Sequence, residues 1–162
     1  MTDRDASPSS HFADLAAVAA RLILGGLFVY MGLAKALHPV EFLKLVRQYD
    51  LVQNHVVLNA IAAMLPWFEV VCGVLLISGI AVRGTALTMF AMLVPFTLAV
   101  ANRAWHIHAL QSIPLCAVKF DCGCGAGEVL ICRKILENSV LMLFAIWLAV
   151  KPSHRFCTRF HL

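Results

Sequence analysis

Charge is what this sequence has little of. Only 14% of its residues are Asp, Glu, Lys or Arg, against about a quarter in an ordinary soluble domain. The apolar share is 61% and the mean hydropathy is +0.84. A soluble fold of this length has too little interior to hide so much apolar surface, whereas a bilayer is itself an apolar solvent. The net charge of +4 is spread over residues such as Lys44, Arg47, Arg133, Lys134, Arg155 and Arg159. No basic stripe gathers on one face, so nucleic-acid binding has no footprint here. Internal repeats are also lacking, and the chain reads as one domain.

Long apolar runs are what the sequence has instead. Residues 1–14 are polar and read as a mobile tail on the cytoplasmic side. A first span is expected over about residues 15–37. It is too long for the ~7–15-residue core of a signal peptide, and the tail before it carries no net positive charge. Gly25, Gly26 and Gly32 within it would let a neighbouring helix approach closely. Pro39 ends this span, since the residue before a proline is disfavoured in a helix. Val40 to His55 mixes apolar and charged residues at helical spacing, which suggests a short helix in the interface. Further spans are expected over about residues 56–82, 85–101 and 135–150, with a tight turn at Arg83-Gly84. Pro66 and Pro95 fall inside the second and third. Residues 102–134 form the longest connection, and a basic tail occupies 151–162. The fold class is thus all-α: an integral membrane four-helix bundle with a cysteine-rich loop between its third and fourth spans. Both termini lie on one side. Charge bias does not choose which, but disulfides persist outside the cytoplasm, so the loop is placed there.

That loop holds Cys116, Cys122, Cys124 and Cys132 in the pattern C-x5-C-x-C-x7-C. Three chemistries are open to it. In a redox site, Cys122-Gly123-Cys124 would close a small strained ring, and strained disulfides are easier to reduce. Cys132, near a helix N-terminus and beside Arg133 and Lys134, would be favoured as a thiolate and could attack. In a structural reading the sulfurs are static staples. In a metal reading all four ligate zinc or an iron–sulfur cluster, although C-x-C is a poor match to the usual knuckle. Cys72 reads as a core residue, Cys157 lies in the opposite tail, and His106 and His108 read as interfacial polar residues.

Four polar residues stand inside the apolar runs: Arg21, Lys35, Glu69 and Asn138. A carboxylate within a bilayer must be paired, neutral or facing a cavity. Depth counting at ~1.5 Å per residue puts Arg21 ~9 Å and Glu69 ~16 Å from the same end, which makes Arg21 the expected partner. Lys35 is expected to snorkel outward or turn to the loop. Asn102, Glu137 and Asn138 cluster at the loop end. The pair could be a helix lock or part of a proton- or quinone-coupled site.

The residues then resemble a known group. Arg21, Gly25, Phe28 and Gly32-Leu33-Ala34-Lys35 are similar to the first span of the MauE/DoxX proteins. So are Leu65-Pro66-Trp67-Phe68-Glu69 with Gly73 and Leu75, Asp121-Cys122-Gly123-Cys124-Gly125, and Asn138, and the resemblance covers residues 15–150. It implies a bundle in the plasma or bacterial inner membrane that supports disulfide formation outside the cytoplasm, as the MauE branch does for maturation of methylamine dehydrogenase. The DoxD branch is similar to the membrane subunit of a thiosulfate:quinone oxidoreductase. The expected function is a thiol–disulfide relay, with Cys122 and Cys124 facing an extracytoplasmic thioredoxin-like partner and Cys116 and Cys132 as the second pair. A quinone is the candidate electron acceptor. The alternative is a non-catalytic subunit of a larger redox complex.

Overall fold

A computed structural model describes residues 8–49, 53–122 and 127–150, with side chains from residue 14 onward. Five helices run in order: α1 Pro8–Leu37, α2 Pro39–Gln48, α3 His55–Ser78, α4 Val82–Gln111 and α5 Ile131–Val150. Between α4 and α5 lie a 3-10 turn at Leu115–Ala117 and a two-stranded antiparallel ribbon, β1 Lys119–Asp121 and β2 Glu128–Leu130. Among the described residues, three segments are long and apolar enough to cross a membrane: Asp14–Leu37, His55–Ser78 and Val82–Gln111. α5 spans 20 residues, with Arg133, Lys134 and Glu137 in its first two turns.

Several expected boundaries move. α4 runs ten residues past Ala101, so the long connection begins at Ser112 rather than at Asn102. The turn between the second and third apolar helices sits at Gly79–Ala81, not at Arg83-Gly84. Gly79 takes a left-handed conformation with φ of 76°, and its N–H and that of Ile80 satisfy the carbonyls of Leu76 and Leu75. A glycine closing a helix in this way has no Cβ penalty. α2 is the expected short amphipathic helix, starting directly at Pro39, whose missing N–H costs nothing at a first helical position.

Small residues set the helix packing. α1 and α3 lie antiparallel with their backbones in contact. A Cβ added at Gly25 would sit 2.8 Å from the carbonyl oxygen of Gly73, and one at Gly73 would sit 2.7 Å from that of Gly25. Gly32 meets Pro66 and Val70 in the same way. Gly26, expected to share this role, faces open space. α4 packs mainly on α5, and α3 and α4 touch more sparingly. Leu24, Phe28, Leu76, Met89, Ala145 and Leu148 form the main core. A second core at the ribbon end gathers Val100, Ala104, Val118, Phe120, Cys122 and Ile131. Outward faces carry Leu22, Ile23, Met64, Trp67, Leu87, Leu98 and Leu143, all exposed. Such a continuous apolar exterior is what lipid covers and water does not.

Candidate functional site

Glu69 stands midway along α3, and its partner is Lys35, not Arg21. The Lys35 ammonium donates to both carboxylate oxygens at 2.6 and 2.7 Å. Both side chains are buried, 6% and 12% exposed. The expected Arg21–Glu69 pair fails on register. Contact of Gly25 with Gly73 and of Gly32 with Pro66 places Arg21 beside the far end of α3. There its guanidinium donates to the carbonyls of Leu76 and Ile77 at 3.2 and 3.4 Å. Lys35, 14 residues on and so ~21 Å further along α1, is the cation whose side chain reaches Glu69. It does not snorkel outward, and it shares cavity walls with Asp121 and Cys122 of the loop. Phe42 and Phe96 lie under its charge at 5.5 and 5.8 Å, within the range of cation–π attraction.

Asn138 is buried on α5 and donates to the Thr97 hydroxyl at 3.0 Å, which in turn donates to the Leu93 carbonyl at 2.7 Å. It lines a small void together with Lys35 and Glu69. Thus Lys35, Glu69 and Asn138 come together, and Arg21 stands apart. Asn102 is exposed on α4 and does not join them. Glu137 instead pairs with Arg133 at 2.8 Å on the surface of α5.

The cysteines lie at the ribbon end. Cys116, in the 3-10 turn, is disulfide-bonded to Cys132 in the first turn of α5, with Cα atoms 5.0 Å apart. The hydrogen bond from Ile131 N–H to the Val118 carbonyl holds these segments in register. The disulfide has two consequences. Cys132 is not an attacking thiolate while it persists, and two of the four sulfurs required for a tetrahedral metal site are already used. Cys122 follows β1 and is buried, 1% exposed, in the second core. The Tyr49 hydroxyl donates to its carbonyl at 3.0 Å and so ties the end of α2 to the ribbon. Cys124 and Cys157 lie outside the described residues, and Cys72 is buried in α3 as expected.

Tyr49 and Arg103 are site residues that sequence reasoning did not single out. The Arg103 guanidinium on α4 donates to the Gln48 carbonyl and side chain at 2.6 and 2.8 Å. It sits over the rings of Tyr49 and Phe120, at 5.5 and 5.0 Å. α2 is thereby fastened across the gap between α3 and α4. The signal was a lone cation at the end of an apolar run with aromatics on neighbouring elements. His106 and His108 fall in α4 rather than in a loop, and the His108 Nδ1–H donates to the Ile113 carbonyl at 2.6 Å.

Beneath α2 lies a cavity of about 420 Å³. Its walls are mostly apolar and include Phe42, Tyr49, Leu65 and Phe96, and its polar groups are the Lys35–Glu69 pair with Cys122 close by in the lining. A second, more polar cavity of similar volume lies between α1, α2 and the ribbon, lined by His38, Glu41, Asp121 and again Lys35. Among the described residues, no cluster of three or more His, Cys, Asp or Glu could hold a metal ion.

Searches of curated proteins and of solved structures give no match. The family model described as methylamine utilisation protein MauE matches residues 13–151. That range takes in all the described apolar helices, the disulfide and the Lys35–Glu69 pair. The helices and the family together make this an integral membrane protein, and the chain belongs to the MauE family.

Proposed function

We propose that the chain is a membrane thiol–disulfide relay that oxidises an extracytoplasmic partner protein of thioredoxin-like type. The observation that carries this reading is the Cys116–Cys132 disulfide at the same end of the helices as the buried Cys122. Three of the four loop sulfurs are thereby gathered at one end of the helices, and thiol–disulfide chemistry requires such neighbours. The MauE family sets the same context, a membrane protein of methylamine utilisation.

In this reading Cys122 and Cys124 form the working disulfide and Cys116–Cys132 is the second pair. Cys122 is too buried to meet a protein, so Cys124 is the sulfur that the partner attacks. A partner thiolate displaces Cys122 from Cys124, giving a mixed disulfide. The second partner thiol then releases Cys124. The partner leaves with a new disulfide, and Cys122 and Cys124 hold the two electrons and the two protons as a dithiol. Attack is fastest when the entering thiol has a pKa near ambient pH, and access selects which sulfur is struck.

Four crossings complete the topology. α5 is read as the fourth, because 20 residues span ~30 Å and its outer face is apolar at Leu136, Leu143 and Val150. Its charges stay in the first two turns. The cysteine end then faces away from the cytoplasm, where disulfides persist, and both termini face inward. Cys122→Ser and Cys124→Ser should each abolish oxidation of the partner in membranes. Full activity in both variants would overturn the relay. The second reading, a non-catalytic subunit as in the DoxD branch of the wider MauE/DoxX group, draws on the same disulfide as a staple. It predicts normal function in both variants.

A further inference from the structure

Lys35 lines three voids: the apolar cavity under α2, the polar cavity between α1, α2 and the ribbon, and the small void beside Asn138. One buried ammonium therefore stands between a polar cleft and an apolar chamber. The chamber measures about 420 Å³, within the ~300–1,000 Å³ of small-molecule sites. Its chemistry is specific. Phe42 and Phe96 offer aromatic faces, the Lys35–Glu69 pair offers a donor and an acceptor at one end, and Cys122 stands in the wall. Two of the lining residues, Ala91 and Pro95, are exposed on the outer side of α4. α3 and α4 pack more sparingly on each other than α4 does on α5, which leaves a side route for a lipid-soluble molecule as part of the proposal below.

We propose that this chamber binds the headgroup of an isoprenoid quinone, with one carbonyl oxygen accepting from Lys35 and the ring between Phe42 and Phe96. The redox step rests on the relay proposed above. The dithiol left at Cys122 loses two electrons and two protons as its S–S bond re-forms, and the quinone gains both and becomes the quinol. Lys35 and Glu69 are positioning residues that also connect the quinone oxygen to the polar cavity, from which protons can exchange. A plain acyl chain would fill the same apolar walls but would make no use of the ion pair. The balance of polar and apolar groups favours a ligand with a carbonyl at one end.

The test uses the full chain in lipid nanodiscs and a decyl-substituted benzoquinone, with empty nanodiscs as the blank for partitioning. The expected result is saturable binding at one site per chain, kept in Gly26→Ala, which faces open space away from the chamber, and weakened at least tenfold in Ala99→Leu. That substitution adds bulk to the cavity lining and removes no polar group. Lys35→Met should weaken binding similarly, and melting curves show whether each variant is folded. A decyl benzene without carbonyls should compete poorly. The proposal is overturned by absence of saturable binding, by equal competition from the decyl benzene, or by binding that a folded Ala99→Leu leaves intact. Failure here is distinct from failure of the relay. Loss of partner oxidation in the cysteine variants without quinone binding leaves the relay standing and removes the quinone. Quinone binding with normal partner oxidation in those variants does the reverse.

Discussion

Replacing Lys35 by Met should be among the costliest single changes in the chain. It deletes a buried ammonium and strands both Glu69 oxygens, which accept from it at 2.6 and 2.7 Å. It also removes the charge that sits over Phe42 and Phe96. Breaking one side of a buried ion pair typically costs about 3–5 kcal/mol, because the survivor is left uncompensated. Cavities flank this pair and can relieve part of that cost. The unfolded chain in a membrane also finds partners for polar groups. The lower figure, about 3 kcal/mol, is therefore expected for Lys35→Met, and a similar one for Glu69→Leu. The double variant should behave differently. With both charges gone the site becomes a plain apolar contact, and such replacements are often neutral or stabilising. Its stability should lie within about 1 kcal/mol of the parent, giving a coupling of roughly 5 kcal/mol in a double-mutant cycle. Reversible unfolding in mixed micelles measures all four proteins. If the single losses simply add, or either single costs under about 1 kcal/mol, the pair is not the buried lock described here. Arg21→Leu serves as the contrast, since Arg21 binds carbonyls of α3 and not Glu69. Its loss should show no coupling to Glu69→Leu.

Three further outcomes follow from the packing and the loop. Gly73→Ala would set a Cβ 2.7 Å from the Gly25 carbonyl oxygen and 2.9 Å from the Val29 nitrogen. Backbone cannot move aside as a side chain can, so a loss of about 1–3 kcal/mol is expected in the same unfolding assay, whereas Gly26→Ala should be near neutral. Cys116→Ser opens a bridge between residues 16 apart. Chain-entropy arguments give about 3 kcal/mol for a loop of that size, so a marked fall in melting temperature is expected, matched by reductant in the parent. Ala81 holds a φ of 47° at the start of α4. Ala81→Gly should therefore stabilise the turn by about 0.5–1 kcal/mol, and an unchanged or lower melting temperature would contradict this.

Much of the scaffold was legible because lipid imposes a simple rule. Apolar runs near 20 residues long and Pro39 marked α2, α3 and the end of α1, but α1 starts at Pro8, seven residues before the expected span. The ends were harder. Asn102 to Gln111 is polar enough to read as a loop, yet it continues α4, where Arg103 fastens to Gln48. The turn signal is Ser78-Gly79, where only glycine takes the left-handed conformation without strain, whereas Arg83 lies inside α4. The ion pair was misassigned because counting depth along each helix ignores how two helices slide past one another. Backbone contact at Gly25 and Gly73 sets that offset, and it exists only between helices. The density of thiols announced joint chemistry, but the Cys116–Cys132 pairing depends on a ribbon that brings the 3-10 turn to the start of α5. The cavity was not legible at all. It arises where α2 lies over the gap between α3 and α4, held by Arg103, Tyr49 and Phe120.

The central claim is that Cys122 exchanges electrons with Cys124 and a visiting protein. Redox titration of Cys122 by thiol trapping, in membranes equilibrated with graded thiol–disulfide buffers, tests it most directly. The relay requires a midpoint among the carrier proteins, between about −270 and −120 mV. A Cys122 that stays trapped as thiol throughout, or that resists reduction well below about −300 mV as structural disulfides do, would contradict the account.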